Sequence, residues 1–306
     1  MSVKAQIAAV TLVAAMFVVA GIAHSQEIVF PEIAALALGA WVMKEPPWRP
    51  TVVSLWISPT LAALTGVCIV RFIREPFPLQ IGVAFLVVAL QLKLMKSAIL
   101  PAISAAMLPI VTRTTNWSYP FSVCVLTLVV ALGRAALGRT SAGGSDAGAA
   151  PKFRTAQELL HWSKLLAGVL IVSAIAWRSR WFFMVAPPLT VAFVELSKPD
   201  GPGRAKARLI FLLLVLAACS GVFWIYVLQR VMHAPMWSAA LLSLGTILLA
   251  FQVVRLPFPP AAAIALLPAI IPAGNLVSYP FQVSLGSAAF WLLSAGAFGR
   301  SPRGIS

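Results

Sequence analysis

The run Arg255-Leu256-Pro257-Phe258-Pro259-Pro260-Ala261-Ala262-Ala263 sets a cation in front of a proline-started helix. Proline suits the first helical turn, where its missing N–H would have had no partner anyway. The alanines and leucines that follow propagate a helix towards Pro268. Such a helix aims the positive end of its dipole back towards Arg255. A fainter version places Lys96 before Pro101, with Pro109 at the far end. Two cationic helix starts facing each other would form a site for a small anion. Two cations at loop–helix junctions would instead only mark a membrane boundary by snorkelling.

Asn116 and Asn275 precede two copies of Ser-Tyr-Pro-Phe. Tyr119 and Tyr279 of these motifs could hydrogen-bond a substrate at a cavity mouth, or belong to an interfacial tyrosine belt. Glu32 follows Pro31 at the start of a short apolar segment. A carboxylate at membrane depth marks an ion or proton path, whereas one in the headgroup zone caps a helix N-terminus. Gln91 and Gln252 could bond across helices. His161 reads as an interfacial residue, and Cys68, Cys124 and Cys219 as small packing residues inside apolar runs.

No Walker A loop, H-E-x-x-H, G-x-S-x-G or dinucleotide fingerprint occurs. Nor does any grouping of nucleophile, base and metal ligands, so an enzyme is not expected and no cofactor is implied.

These residues need a membrane to position them. The 306 residues are 60% hydrophobic and 10% charged, with a mean hydropathy of +0.94. Soluble domains have about 25% charged residues, so lipid is the solvent that fits. Apolar segments fall at about 5–23, 28–43, 51–72, 79–95, 98–112 and 119–137, then 158–177, 181–197, 207–228, 236–254, 259–273 and 279–298. The expected fold is an all-α polytopic transmembrane bundle with about 10–12 membrane segments. The second and fifth of each half are short enough to be tilted, broken or re-entrant. The N-terminal run is expected to be a retained first helix.

The two halves look like tandem copies. Leu61-Ala62-Ala63-Leu64-Thr65-Gly66-Val67 reappears as Leu216-Ala217-Ala218-Cys219-Ser220-Gly221-Val222. Lys96, Pro101, Leu108 and Pro109 match Arg255, Pro260, Leu267 and Pro268, in the same order. The expected division is a first repeat at 1–137, a flexible polar linker at 138–157 and a second repeat at 158–306. With six segments per copy and both termini cytoplasmic, only Arg71, Arg74, Arg113, Arg178, Arg180 and Arg230 of the 23 Lys and Arg fall outside. An even count makes the copies parallel, and five spans per copy would make them inverted. The formal charge of +15 follows from this loop bias, and nucleic acid is not an expected partner.

Each copy resembles the HPP family of integral membrane proteins. Phe258-Pro259-Pro260-Ala261-Ala262 with Leu266-Leu267-Pro268 is similar to the family's His-Pro-Pro triplet and helix. Val185-Ala186-Pro187-Pro188-Leu189-Thr190, continuing through Pro199 to Arg204, is similar to its small-residue stretch and Pro-Arg loop. The first copy resembles this layout at 30–37 and Pro47-Trp48-Arg49. The triplet's histidine is replaced by Phe258, and by Ile99 in the first copy, which removes any role for that imidazole. The resemblance implies permeation of a small anion such as nitrite. The expected function is therefore a multi-pass transporter or channel-like permease of an inner (plasma) membrane, with its site between the repeats. The alternatives are an aromatic or organic acid exporter-like permease and a non-transporting scaffold subunit. Expected partners are the bilayer and a small-molecule or anion substrate, with a homo-oligomer left open.

Overall fold

A computed structural model describes residues 3–43, 48, 51–137, 156–198 and 206–298. The described residues form twelve α-helices and no strand. Eight are long: α1 Val3–Ile22, α3 Val52–Phe72, α4 Phe77–Leu94, α6 Ser118–Ala136, α7 Ala156–Ser179, α9 Ala207–Ile225, α10 Met236–Val254 and α12 Tyr279–Ala297. All of these except α12 are long and apolar enough to cross a membrane. The chain is an all-α, multi-span membrane protein.

Four helices are short: α2 Glu32–Ala37, α5 Pro101–Thr112, α8 Pro187–Leu196 and α11 Pro259–Leu266. A π turn at Leu38–Val42 continues α2, and a 3-10 turn at Leu267–Ala269 continues α11. At 1.5 Å per residue each runs about 15–18 Å, half of a hydrocarbon core of about 30 Å. The expected segments at 28–43, 98–112 and 181–197 start later as helix than their apolar runs do. Pro31, Pro101 and Pro187 delay them, because the residue before a proline avoids the helical region.

The short helices form the core. Residues 29–42, 101–111, 187–194 and 259–269 are all buried. They close a four-membered ring in which α2 packs on α11, α11 on α8, α8 on α5 and α5 on α2. The long helices surround it and turn Leu86, Leu90, Phe121, Leu212, Leu249 and Leu292 outwards. An outer shell of exposed leucines and valines is what a lipid-facing surface requires.

Hydrogen bonds sort the loops into two ends. At the first end Arg71 donates to the Thr115 carbonyl, Ser118 to Glu27, and the Phe183 amide to Gln282. At the second end Ser58 bonds Ser97, Lys164 donates to the Ala297 carbonyl, and Ser294 to the Leu196 carbonyl. α1 and α7 both finish at the first end, so they run in the same direction.

Six helix ends share one feature. Among the described residues, His24, Lys96, Arg113, Arg180, His233 and Arg255 are the non-glycine residues with positive φ, and each follows the end of a helical segment. Glycine usually takes this left-handed position. A basic side chain there costs backbone strain of about 1–2 kcal/mol but meets the negative end of the dipole.

Two glycines seat the short helices α5 and α11 against long ones. A Cβ on Gly66 of α3 would lie 2.2 Å from the Ala106 carbonyl oxygen of α5. One on Gly221 of α9 would lie 2.3 Å from that of Ala265 in α11. Small residues let membrane helices meet backbone to backbone.

Candidate functional site

The ring of short helices brings four proline-headed N-termini to one place. Glu32 opens α2, Pro101 opens α5, Pro187 and Pro188 open α8, and Pro259 and Pro260 open α11. Glu32, Pro101, Pro188, Pro259 and Pro260 line a common cavity of about 10 Å³. That volume holds about one water molecule. Trp48, itself 1% exposed, also lines it, and its indole approaches the Glu195 carboxylate near the end of α8.

Glu32 is 1% exposed. Its Oε1 accepts a hydrogen bond from Ser104 Oγ, one turn into α5, while Oε2 has no partner among the described residues. Each helix start contributes the positive end of a dipole, which favours negative charge. The prolines remove the first N–H groups, so the wall offers dipole ends with few donors. A bare carboxylate oxygen in this setting is costly unless it binds a proton or faces a ligand or water.

The tyrosines have a definite task. Pro109 has no N–H to give the Ala105 carbonyl four residues earlier, and Tyr119 Oη donates to that carbonyl at 2.9 Å. Pro268 likewise orphans the Ile264 carbonyl, which accepts from Tyr279 Oη at 2.9 Å. Prolines at membrane depth are tolerated where a neighbour repairs the ladder in this way.

A larger cavity of about 180 Å³ opens at the first end. Gln26, Glu27, Thr112 and Arg113 line it, with Leu108 and the buried Tyr119. Arg113 donates to Gln80 and Glu27 accepts from Ser118. Its wall includes Leu108, one turn beyond Ser104 on α5, and Tyr119, which stands near Glu32.

No family model, curated protein or solved structure matches this chain. The site therefore rests on its own geometry.

The structure brings together Glu32, Pro101, Pro259 and Pro260. It places Lys96 and Arg255 elsewhere: both are exposed at the second end, as left-handed caps of α4 and α10. Asn116 is exposed at the first end, where its Oδ1 accepts from the Ser118 amide. Asn275 is half-buried at the same end, and its carbonyl accepts from Ser278. Tyr119 and Tyr279 are buried props of the broken helices. Sequence reasoning did not assign Ser104, Pro188, Arg113 or Trp48 to the site. A lone serine in an apolar helix, and the match of Pro187 to Pro31, were the available signals for the first two. No spacing singles out Trp48. The linker expected at 138–157 lies outside the described residues as far as 155, and α7 begins at Ala156. Pro47, Arg49, Pro199 and Arg204 also lie outside them.

Proposed function

We propose that this chain is a permease for a small anion of nitrite size, whose solute crosses the membrane at the Glu32 cavity. The observation that carries this reading is the meeting of four half-length, proline-headed helices around one buried carboxylate. Broken helices that point N-termini at a midplane site are the recurring solution for anionic solutes in secondary transporters. A small solute asks for far less opening of a one-water cavity than an aromatic acid would. Pro259 and Pro260 of the HPP-like triplet line this cavity, which agrees with the anion implied by that resemblance.

The site belongs to an interface between two parallel repeats, 1–137 and 158–306. Matched contacts support the duplication. Tyr119 with Ala105 corresponds to Tyr279 with Ile264, and Gly66 with Ala106 to Gly221 with Ala265. The pairing of α1 with α10 is answered by α7 with α4, as a twofold axis along the membrane normal would give. Glu32 corresponds to Pro188 and Ser104 to Ala263, so the polar pair occurs once. The second end carries Lys93, Lys96, Lys164, Lys198, Lys206 and Arg255, which fits a cytoplasmic face.

Nitrite and nitrate flux into proteoliposomes tests the reading. The full-length protein should carry at least one of them saturably and above empty liposomes. Ala263→Leu, which fills the cavity wall, should cut that flux about tenfold, a loss of about 1.4 kcal/mol of barrier stabilisation. A monodisperse protein that carries neither anion sinks it.

A further inference from the structure

We propose that Glu32 is the coupling residue of this permease, taking up one proton for each anion that passes. The inference rests on the anion reading above and adds its energy source.

Glu32 is placed to carry a proton. One carboxylate oxygen is held by Ser104, which fixes the side chain; the other has no partner among the described residues, and Glu32 lines the cavity. A cavity of about 10 Å³ admits about one water to deliver or remove the proton. Among the described residues, the other carboxylate on the ring helices is Glu195, one turn beyond Val191 on α8, where Trp48 and Lys198 face it. Neither α5 nor α11 carries a titratable side chain, and α1 carries only Lys4, in its first turn at the second end. On α6 the titratable groups are Tyr119, Cys124 and Arg134. Cys124 accepts from Trp56, and Arg134 reaches the Ala40 carbonyl at the far end of α2's continuation. Tyr119, with Tyr279 from α12, is what faces Glu32, and both hydroxyls are committed to backbone carbonyls.

The four dipole ends favour one negative charge at their meeting point, and the ionised carboxylate already supplies it. A second anion in a site this apolar is strongly repelled by the first. Protonation of Oε2 by water from the first-end cavity removes the resident charge and makes room for the solute anion. Anion and proton thus raise each other's affinity, and the coupling is reciprocal. Release reverses both steps at the second end: the Oε2–H proton returns to water and the anion leaves. No other bond changes, and one proton with one monovalent anion moves no net charge. Because the second half has Pro188 and Ala263 at the matching positions, the expected stoichiometry is one.

The test uses full-length protein in proteoliposomes loaded with a pH dye and driven by a nitrate gradient. Nitrate is chosen because it does not cross lipid as a neutral acid. The wild type should acidify the lumen by one proton per nitrate. Its rate should ignore a potassium-diffusion potential and rise by up to about tenfold for each unit that the outside pH falls, as expected of a single protonation. Glu32→Asp should keep the coupling. Glu32→Gln should carry nitrate without acidification, with a rate set by voltage and insensitive to pH. Nitrate uptake by the wild type with a proton ratio of zero overturns the coupling and leaves the permease standing. No nitrate or nitrite uptake at all removes both. The wild-type proton ratio decides even if neither variant folds.

Discussion

Tyr119 and Tyr279 make the clearest case at the scale of single residues, because each repairs one defect of known origin. Tyr119→Phe should leave the Ala105 carbonyl unpaired and cost about 1–2 kcal/mol, read as a lower melting temperature in detergent. Pro109→Ala restores the missing N–H, so Tyr119→Phe made in that background should cost much less. Equal losses in the two backgrounds would mean that the hydroxyl works elsewhere. Lys96 and Arg255 carry the opposite expectation. They stand exposed at helix ends, so Lys96→Gly with Arg255→Gly should relieve left-handed strain and leave anion flux within about twofold of wild type. A collapse of flux would return them to the site. Some of this was legible in the sequence. A carboxylate beside a proline in an apolar run announces itself, whereas its partner Ser104 is 72 positions away and only packing reveals it.

At the scale of elements, hydropathy placed the long helices well because lipid imposes both their length and their composition. The expected 236–254 is the helix found, and 119–137 differs from Ser118–Ala136 by one residue at each end. The short helices were harder. Their apolar runs continue through irregular chain that is buried in protein and not in lipid, and hydropathy does not distinguish the two. The glycines that seat them can be tested. Gly66→Ala should cost about 1–3 kcal/mol, since neither the α3 backbone nor the Ala106 carbonyl can move aside easily. Gly245→Ala on α10 is the matched control. Nothing lies within 4 Å of its added methyl, so it should be neutral or gain about 0.5–1 kcal/mol of helix propensity. Similar losses at both positions would mean that helix propensity, and not the crossing with α5, decides.

At the scale of the whole molecule, the charge bias and the ring of short helices make one joint claim about topology. If each half-helix completes a crossing begun by irregular chain, residues 96–113 pass from the second end to the first, and so do 255–275. The stretch 97–100, buried except for the half-buried Ala98, and the 12 residues of α5 then span the distance that one long helix spans elsewhere. Cysteine accessibility checks this directly, after replacement of Cys68, Cys124 and Cys219. Lys198→Cys at the second end should label from the cytoplasm, and Asn275→Cys and Asn116→Cys only from outside. Paired labelling is needed because the two halves make the prediction independently, through α5 and through α11. If Asn275→Cys labels from the cytoplasm while Asn116→Cys does not, α11 turns back and the halves are not parallel. If both label from the cytoplasm, both fifth segments re-enter. The four N-termini would then reach the cavity from one side, and a route through Glu32 from one face of the membrane to the other would be lost.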